Sequence, residues 1–227
     1  MSSLSERLHQ TRQEISEECL RLGRAEPTLI VVTKNHSAEL AKELYDLGER
    51  NFGENRVQEA RLKSAELAEA RPGRDLNWHL IGQLQTNKVK QALEFAKSIH
   101  SLDRIQLLDE LAKRTEGRTE PLEVFLQVNL TEDENRGGLL PDQILGFAEK
   151  VLSIPTLTLK GLMAVASLDK VPEVDFEYMA KLSSSLIADF PLATGLSIGM
   201  SNDFLTALRY GATHLRIGTA ITGNRIF

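Results

Sequence analysis

Apolar residues recur along the chain in two alternating patterns. Short apolar and β-branched runs, such as LIVVTK at residues 29–34, predict buried strands, and a segment with helical spacing follows most of them. The predicted strands cover residues 29–34, 50–52, 76–81, 98–102, 122–130, 157–165, 196–198 and 214–217. The predicted helices cover residues 4–22, 37–47, 55–70, 86–96, 104–114, 141–152, 172–190 and 203–210. Such alternation of strand and helix is typical of a parallel sheet.

Eight strand units along 227 residues predict the α/β class and a (β/α)8 barrel of the TIM type. We expect residues 1–227 to form a single domain, and an open, doubly wound sheet is the alternative architecture. The segment GTAITGNRIF that follows the last predicted strand is short for a closing helix. The extra N-terminal helix at residues 4–22 is therefore expected to cover that side of the barrel.

Composition and charge argue against several classes of function. A net charge of −5 does not favour binding to nucleic acid through bulk positive charge. The single cysteine, Cys19, excludes an intrachain disulfide framework and a zinc site built from several cysteines. The polar start MSSLSERLHQ lacks the apolar core of a signal peptide, and no window approaches the roughly 20 apolar residues that cross a bilayer. We expect a cytoplasmic protein with neither a nucleic-acid nor a membrane partner.

The last two strand-to-helix loops carry small and hydroxyl residues where barrels commonly hold phosphate groups. SIGMSND puts Ser201 at the predicted start of a short helix, whose exposed backbone N–H groups favour an anion. GTAITG contributes Gly218, which permits close approach of the backbone, and the hydroxyl of Thr219. Either loop alone is consistent with an ordinary turn. Together they predict a phosphate site.

Lys34 stands at the tip of the first predicted strand, on the same face of the barrel. An amine partly withdrawn from water there is neutral more often and so is a better nucleophile. A phosphate site opposite an amine favours an aldehyde cofactor that is held as a Schiff base at one end and by its phosphate at the other. A surface lysine at the end of a strand is the simpler interpretation of Lys34 taken alone.

The histidines do not indicate a specific catalytic or ligand-binding role. His79 is consistent with the lining of a pocket or with packing at a strand end, and we interpret His36 and His100 as structural or solvated. We predict no metal site, because no set of His, Asp and Glu residues has the spacing of metal ligands.

Several motifs together resemble one family. VVTK, FGENRVQEA, WHLIGQLQTNK, GLMA, LSIGMSNDF and RIGTAITG occur in this order between residues 29 and 223. The chain thereby resembles the pyridoxal phosphate homeostasis proteins of the YggS/PROSC type, which are related to the barrel domain of alanine racemase. The resemblance implies pyridoxal 5′-phosphate as the cofactor and a barrel of the fold type III class.

The resemblance also implies a role for particular residues. Lys34 matches the lysine that forms the Schiff base, and Ser201, Gly218 and Thr219 match the residues that hold the phosphate. Arg216 matches an arginine that faces the pyridine nitrogen and keeps it unprotonated, because two adjacent positive charges are disfavoured. Asn55 and Met200 are expected near the ring.

Two positions depart from the family pattern. Members commonly read S-K-T-K-P around the Schiff-base lysine, whereas this chain has TKNHS, so that His36 and Ser37 replace a lysine and a proline. In the loop after the fifth strand, Arg136 stands where the family often has a lysine. Arginine keeps the positive charge but does not readily form a Schiff base, so transfer of the cofactor between two lysines would be altered.

The resemblance favours a protein without catalytic residues that binds pyridoxal phosphate reversibly in vitamin B6 homeostasis, with small amines or apoenzymes as partners. One alternative is an amino-acid racemase that depends on the same cofactor. Alanine racemases add a C-terminal β-domain with a catalytic tyrosine, which we expect to be absent, and the tyrosines here all lie in predicted helices. Without that domain we expect a monomer. The other alternative is a barrel enzyme that forms a Schiff base with a phosphorylated metabolite.

Overall fold

The computed structural model describes residues 2–72, 75–131, 137–167 and 170–223. Within these residues, eight parallel strands close into a barrel in chain order, and β8 is hydrogen-bonded to β1. The strands are β1 (Thr28–Val32), β2 (Asn51–Glu54), β3 (Asn77–Leu80), β4 (Ala96–Leu102), β5 (Leu122–Gln127), β6 (Leu157–Met163), β7 (Gly195–Ser197) and β8 (His214–Ile217). The predicted (β/α)8 barrel is confirmed, and the alternative of an open sheet is wrong because β8 pairs with β1.

Helices surround the barrel and alternate with its strands. They are α1 (Leu4–Leu22), α2 (Ala38–Asp46), α3 (Val57–Ala70), α4 (Val89–Ala92), α5 (Ile105–Thr115), α6 (Ile144–Leu152), α7 (Pro172–Asp189), α8 (Phe204–Arg209) and α9 (Thr219–Thr222). Short 3₁₀ turns at Thr86–Lys88 and Pro141–Gln143 precede α4 and α6. No helix of the described residues is long and apolar enough to cross a membrane.

The helix predicted over residues 86–96 is too long, because the structure has the short helix α4 there and begins β4 at Ala96. Ala96 and Ser98 are buried and Lys97 between them is exposed, which is the alternation of a strand. Ala96 pairs with β3, and Ser98 pairs with both β3 and β5. Hydrogen bonding to two neighbouring strands therefore decides the conformation of this segment over its local helix propensity.

The N-terminal helix α1 covers the side of the barrel next to the last strand, as the sequence predicted. The final helix α9 is short, and α1 packs against both α8 and α9. Leu8 and Ile15 of α1 are buried in the core, and Arg7 Nε donates a hydrogen bond to the carbonyl oxygen of Ile221 at 2.7 Å. The first helix thus takes the place of a longer closing helix.

Histidine rings occupy the barrel interior beside Phe125. The His100 ring stacks on Phe125 with a centroid distance of 4.2 Å, and Phe125 also makes an edge contact with His214 at 4.9 Å. His79 makes an edge contact with His100 at 5.2 Å. Burial lowers the pKa of His79 to about 3 and that of His214 to about 4, and it holds the pKa of His100 well below 6.5. These imidazoles are therefore neutral at pH 7.

We predict that Ile15→Ala lowers the free energy of unfolding by about 2–5 kcal/mol, because it opens a cavity between α1 and the barrel. Ile15 is 3% exposed, whereas Leu20 on the same helix is 83% exposed. Leu20→Ala is the matched control and should change the unfolding free energy by less than about 0.5 kcal/mol. Urea denaturation measures both variants, and equal losses in the two would contradict an integral role for α1.

Lowering the pH below the ordinary histidine pKa of 6.5 should destabilise the fold. Unfolded imidazoles take up protons below that value, whereas folded His79 and His214 do so only near about 3 and about 4. Since the unfolded state then binds more protons, each such histidine removes about 1.4 kcal/mol of unfolding free energy per pH unit between these limits.

Urea denaturation at a series of pH values between about 6 and about 5 measures this dependence, in a range where most carboxylates are still ionised. His79→Gln should make the slope shallower. His9→Gln, at an exposed position of α1, is the control and should leave it unchanged. Equal slopes in His79→Gln and the unmodified protein would show that His79 does not contribute.

Candidate cofactor-binding site

The loops after the strands lie together at the carboxyl-terminal end of the barrel, where barrels of this kind hold their ligands. The loops and strand ends of this face carry the residues singled out in the sequence, namely Lys34 after β1, Asn55 after β2, Met200 and Ser201 after β7, Arg216 within β8, and Gly218 and Thr219 after β8. Their common location follows from the fold. Their individual contacts with a ligand stay predictions.

Lys34 lies in the turn between β1 and α2. Thr33 is fully buried, and the chain turns outward after it, so the side chain of Lys34 is exposed. The prediction that this residue is partly withdrawn from water is therefore wrong. The turn carries Lys34 past the end of the barrel wall, which leaves its amine accessible from solvent.

A buried ionic network lies behind Lys34. Lys63 Nζ on α3 donates a hydrogen bond to the Thr33 carbonyl oxygen at 2.7 Å. The same ammonium group donates to the carboxylates of Glu54 and Glu59, each at 2.7 Å. The Thr33 hydroxyl donates to Glu54 Oε1 at 2.6 Å. The network therefore ties the backbone that precedes Lys34 to α3.

The same network also holds the residue that follows Lys34. The backbone N–H of Asn35 donates to the Glu59 carboxylate, and Asn35 has a left-handed φ of 67°. Asparagine tolerates this conformation better than most residues. Backbone groups on both sides of Lys34 are thus anchored, while its side chain is exposed.

Sequence reasoning did not assign a role to Glu54, Glu59 or Lys63. The available signals were a glutamate at the end of a buried strand and a Glu–Lys pair spaced four residues apart on the next helix. The side chains of Lys63 and Glu54 are 5% and 0% exposed. Burial raises the pKa of Glu54 against the opposing hydrogen bonds from Lys63 and Thr33.

The replacement of the family's proline by Ser37 leaves the local backbone suited to either residue. Ser37 caps α2 with φ −72° and ψ 165°, and proline fixes φ close to −65°. The other departure, Arg136, lies outside the described residues.

Arg216 points its guanidinium into the barrel, where the residue is 4% exposed. Nη1 donates to the carbonyl oxygen and to Oγ of Ser197 at 2.6 and 2.7 Å, and Nη2 donates to the Ala164 carbonyl oxygen at 2.8 Å. Burial lowers the pKa of Arg216 to about 10, and Asp203 opposes the shift. The group is therefore a fixed positive charge at neutral pH, and these three hydrogen bonds go to uncharged oxygens.

The loops after β7 and β8 meet at Ser201. Its Oγ accepts hydrogen bonds from the backbone N–H groups of Gly218 and Ala220, each at 3.2 Å. Thr219 lies between these two donors and is exposed. The loop after β8 thus directs two converging N–H donors at one oxygen position of the loop after β7, which is an arrangement that suits an anion with several oxygens.

Two details of the β7 loop differ from a simple turn into a helix. Gly199 has φ +90°, and a Cβ atom there would lie 2.6 Å from Ala207 Cβ, so the position requires glycine. The prediction that Ser201 starts a helix is wrong. The helix α8 begins at Phe204, after Asp203, whose Oδ1 accepts a hydrogen bond from Met200 N at 2.6 Å and so holds Ser201 in the preceding turn.

Asn55 follows β2 and Met200 follows β7, and both are partly exposed. The backbone of Asn55 packs against Gly82 after β3, where a Cβ atom would lie 2.4 Å from the Asn55 carbonyl oxygen. Glycine at this position therefore allows the loops after β2 and β3 to lie close together.

The histidines lie below the mouth. His100 is fully buried, which confirms its interpretation as a structural residue, and His79 is 4% exposed and packs in the barrel. In the part of the chain that the structure describes, no group of three or more His, Cys, Asp and Glu residues is placed to hold a metal ion.

Comparison with known proteins identifies relatives over nearly the whole chain. The family model for the N-terminal domain of alanine racemase matches residues 9–225. The pyridoxal phosphate homeostasis protein of Vibrio cholerae serotype O1 is 34% identical over 99% of this chain and 98% of its own length. The protein of the same name from Aquifex aeolicus is 38% identical over 97% of both chains.

Solved structures give the same result. PipY of Synechococcus elongatus PCC7942 without PLP superposes with a TM-score of 0.86 at 34% identity, covering 97% of this chain and 100% of that one. The same protein with PLP bound has a TM-score of 0.85 at 33% identity over the same shares. Alanine racemase from E. faecalis, at 21% identity and a TM-score of 0.69, shares the fold over 94% of this chain and 57% of its own. The chain belongs to the alanine racemase N-terminal domain family and, within it, to the pyridoxal phosphate homeostasis proteins.

Proposed function

We propose that this protein binds pyridoxal 5′-phosphate reversibly and acts in its homeostasis as a carrier rather than as an enzyme. The observation that carries the proposal is the shared face of the barrel, where an accessible amine, a buried guanidinium and converging N–H donors occur together. The relatives named as homeostasis proteins and the PipY structure with PLP bound support the same cofactor.

Lys34 is the residue that binds the aldehyde end. When bound, the cofactor supplies an aldehyde, which condenses with a primary amine to a C=N bond and releases its oxygen as water. The network of Thr33, Glu54 and Lys63 keeps the Lys34 backbone fixed, so the amine searches a limited volume. Because the side chain is exposed, another amine can reach the same carbon and displace the cofactor.

Ser201, Gly218 and Thr219 hold the phosphate end. The N–H groups of Gly218 and Ala220, which donate to Ser201 Oγ, can also donate to phosphate oxygens, and Thr219 adds a hydroxyl. This set binds the phosphate through neutral donors. A phosphate held in this way is released more readily than one paired with a buried lysine or arginine, which suits a carrier.

With the cofactor bound, Arg216 would face the ring nitrogen, and Asn55 and Met200 would lie beside the ring. The fixed positive charge of Arg216 disfavours a second positive charge next to it, so a nitrogen there stays unprotonated. An unprotonated ring withdraws electrons weakly, which suits a carrier or a racemase-like role better than broad carbanion chemistry.

The tyrosines support a carrier over a racemase. A racemase requires an acid or base on the face opposite the lysine. Tyr45 and Tyr178 lie in α2 and α7 of the outer layer, and Tyr210 lies at the end of α8. Tyr45 is buried against the guanidinium of Arg50, 3.9 Å from its ring centre.

We further propose that residues 1–227 act as one domain and as a monomer in the cytoplasm, where small amines and apoenzymes that require the cofactor are the recipients. Closure of the barrel by β8 and β1 and the packing of α1 across α8 and α9 support a single folded unit.

Lys34→Ala should abolish the visible absorbance band that pyridoxal phosphate gives as a protonated Schiff base, because no amine remains at the end of β1. Lys181→Ala is the matched control, since Lys181 is an exposed lysine of α7, and it should keep the band. A titration of each purified protein with pyridoxal phosphate, followed by absorbance, measures this.

Absence of the band in the unmodified protein would overturn the proposed function, and an unchanged band in Lys34→Ala would overturn the assignment of Lys34. Incubation of the loaded protein with L-alanine in deuterated water separates carrier from racemase. We expect no more deuterium at Cα than free pyridoxal phosphate introduces.

Ser201→Ala should weaken the binding of pyridoxal phosphate about tenfold, or about 1.4 kcal/mol, through loss of one hydrogen bond to a charged group. Pyridoxal, which lacks the phosphate, should bind equally well to both proteins. Ser184→Ala, at an exposed position of α7, is the control. Equal losses for both ligands would show that Ser201 acts on the fold of the site and not on the phosphate.

A further inference from the structure

We propose that a directed hydrogen-bond chain through the barrel, from Asn51 by way of His79, His100 and Ser197 to Arg216, positions the Arg216 guanidinium. In this proposal His100 and Ser197 are positioning residues. The chain itself is a property of the cofactor-free protein, and its effect on a bound ring rests on the proposed function.

Each successive pair of side chains in this hydrogen-bond chain lies within hydrogen-bonding distance. His79 Nε2 lies 3.2 Å from Asn51 Oδ1, and His79 Nδ1 lies 3.0 Å from His100 Nε2. His100 Nδ1 lies 3.0 Å from Ser197 Oγ, to which Arg216 Nη1 donates at 2.7 Å. It starts at the first residue of β2, at the amino-terminal end of the barrel, and ends beside the mouth.

Both ends of the hydrogen-bond chain require the same direction of hydrogen-bond donation. Asn51 Oδ1 can only accept, so His79 carries its proton on Nε2 and accepts at Nδ1. His100 Nε2 must then donate to His79, which leaves His100 Nδ1 as an acceptor for the Ser197 hydroxyl.

The contacts of Ser197 indicate the same direction of donation independently of Asn51. Ser197 is fully buried, and among the described residues the hydrogen-bond partners of its Oγ are His100 and Arg216. Arg216 is always a donor. If His100 also donated to Oγ, the Ser197 proton would lack an acceptor in a buried site, which is costly. Ser197 therefore donates to His100 and accepts from Arg216.

Each link requires neutral imidazoles, since a charged ring would donate from both nitrogens. Burial keeps His79 and His100 neutral, and the positive charge of Arg216 adds to the effect at His100. His214, whose ring lies 6.1 Å from that of His100, is also neutral at pH 7 because burial and the charges of Lys160 and Arg216 lower its pKa. Among the side chains of this hydrogen-bond chain, Arg216 therefore carries the only full charge.

The hydrogen-bond chain determines the orientation of the Arg216 guanidinium. With its proton committed to His100, Ser197 Oγ offers lone pairs to Nη1, and the two carbonyl oxygens of Ser197 and Ala164 complete the set. The guanidinium is thus held by Ser197 of β7 and by Ala164 after β6, through hydrogen bonds that all go to uncharged oxygens. A ligand atom that faces it must accept a hydrogen bond.

Nitrogen-15 NMR of histidine-labelled, cofactor-free protein tests the direction, because the two neutral tautomers give different Nδ1 and Nε2 shifts. We expect His79 and His100 to be protonated on Nε2 at pH 7. Exposed His9 serves as the reference and should average over both tautomers. Protonation on Nδ1 in either ring, or a charged ring, would overturn the proposed direction.

Ser197→Ala should move the His100 signals and, in the loaded protein, the nitrogen-15 shift of ring-labelled pyridoxal phosphate. Ser98→Ala is the matched control, because Ser98 is also fully buried in the barrel wall and its hydroxyl lacks a partner among the described residues. It should move neither signal. An unchanged ring shift in Ser197→Ala would exclude a positioning role for Ser197.

Asn51→Ala gives a second approach if Ser197→Ala does not fold. It removes the terminal acceptor at the far end of the barrel and should move the His79 Nε2 signal, while both rings stay protonated on Nε2 because the Ser197 end still fixes His100, which donates to His79 Nδ1. Protonation of either ring on Nδ1 in this variant would overturn the proposed direction. Failure of the unmodified protein to bind pyridoxal phosphate would instead remove the proposed function and leave the tautomer test intact.

Discussion

The pairing of β8 with β1 is the contact on which the candidate site depends. It places Arg216 opposite Ile30 and Ile217 opposite Val31, so the turn that carries Lys34 and the loop that begins at Gly218 leave the barrel side by side. The amine of Lys34 and the N–H donors of Gly218 and Ala220 come from opposite ends of the sequence. Closure of the sheet joins them, and the packing of α1 over α8 and α9 supports that closure from outside.

Two polar networks flank this contact and act differently. The network of Lys63, Glu54 and Thr33 carries charges into a buried position, where desolvation offsets much of the attraction between them. What it contributes is geometry, because it anchors the backbone around Lys34. The second network is uncharged except at Arg216, and its rings are held neutral by burial. The first network anchors the backbone beside the exposed amine of Lys34. The second network holds the buried guanidinium of Arg216 in place.

The repeating pattern of strands and helices was predictable because it depends on local spacing of apolar residues. α1 and β8 have the predicted bounds, and the barrel follows from the count of units. The errors occur where tertiary contacts outweigh local preference. Residues 93–96 leave the predicted helix because β4 begins at Ala96, and Ser201 stays outside α8 because Asp203 accepts a hydrogen bond from Met200 N and so holds the preceding turn. Lys34 is exposed because Thr33, the first residue after β1, takes the last buried position before the turn.

The sequence by itself determined the class of fold, the family and the residues that stand at the carboxyl ends of the strands, since these depend on periodicity and on motifs of adjacent residues. Only the tertiary structure decided which of these residues touch. Lys63 meets Thr33, and His100 meets Ser197, across separations of 30 and 97 residues. Their partners are chosen by strand register and by barrel closure, because hydrogen bonds act over about 3 Å and follow spatial position, whatever the distance along the chain.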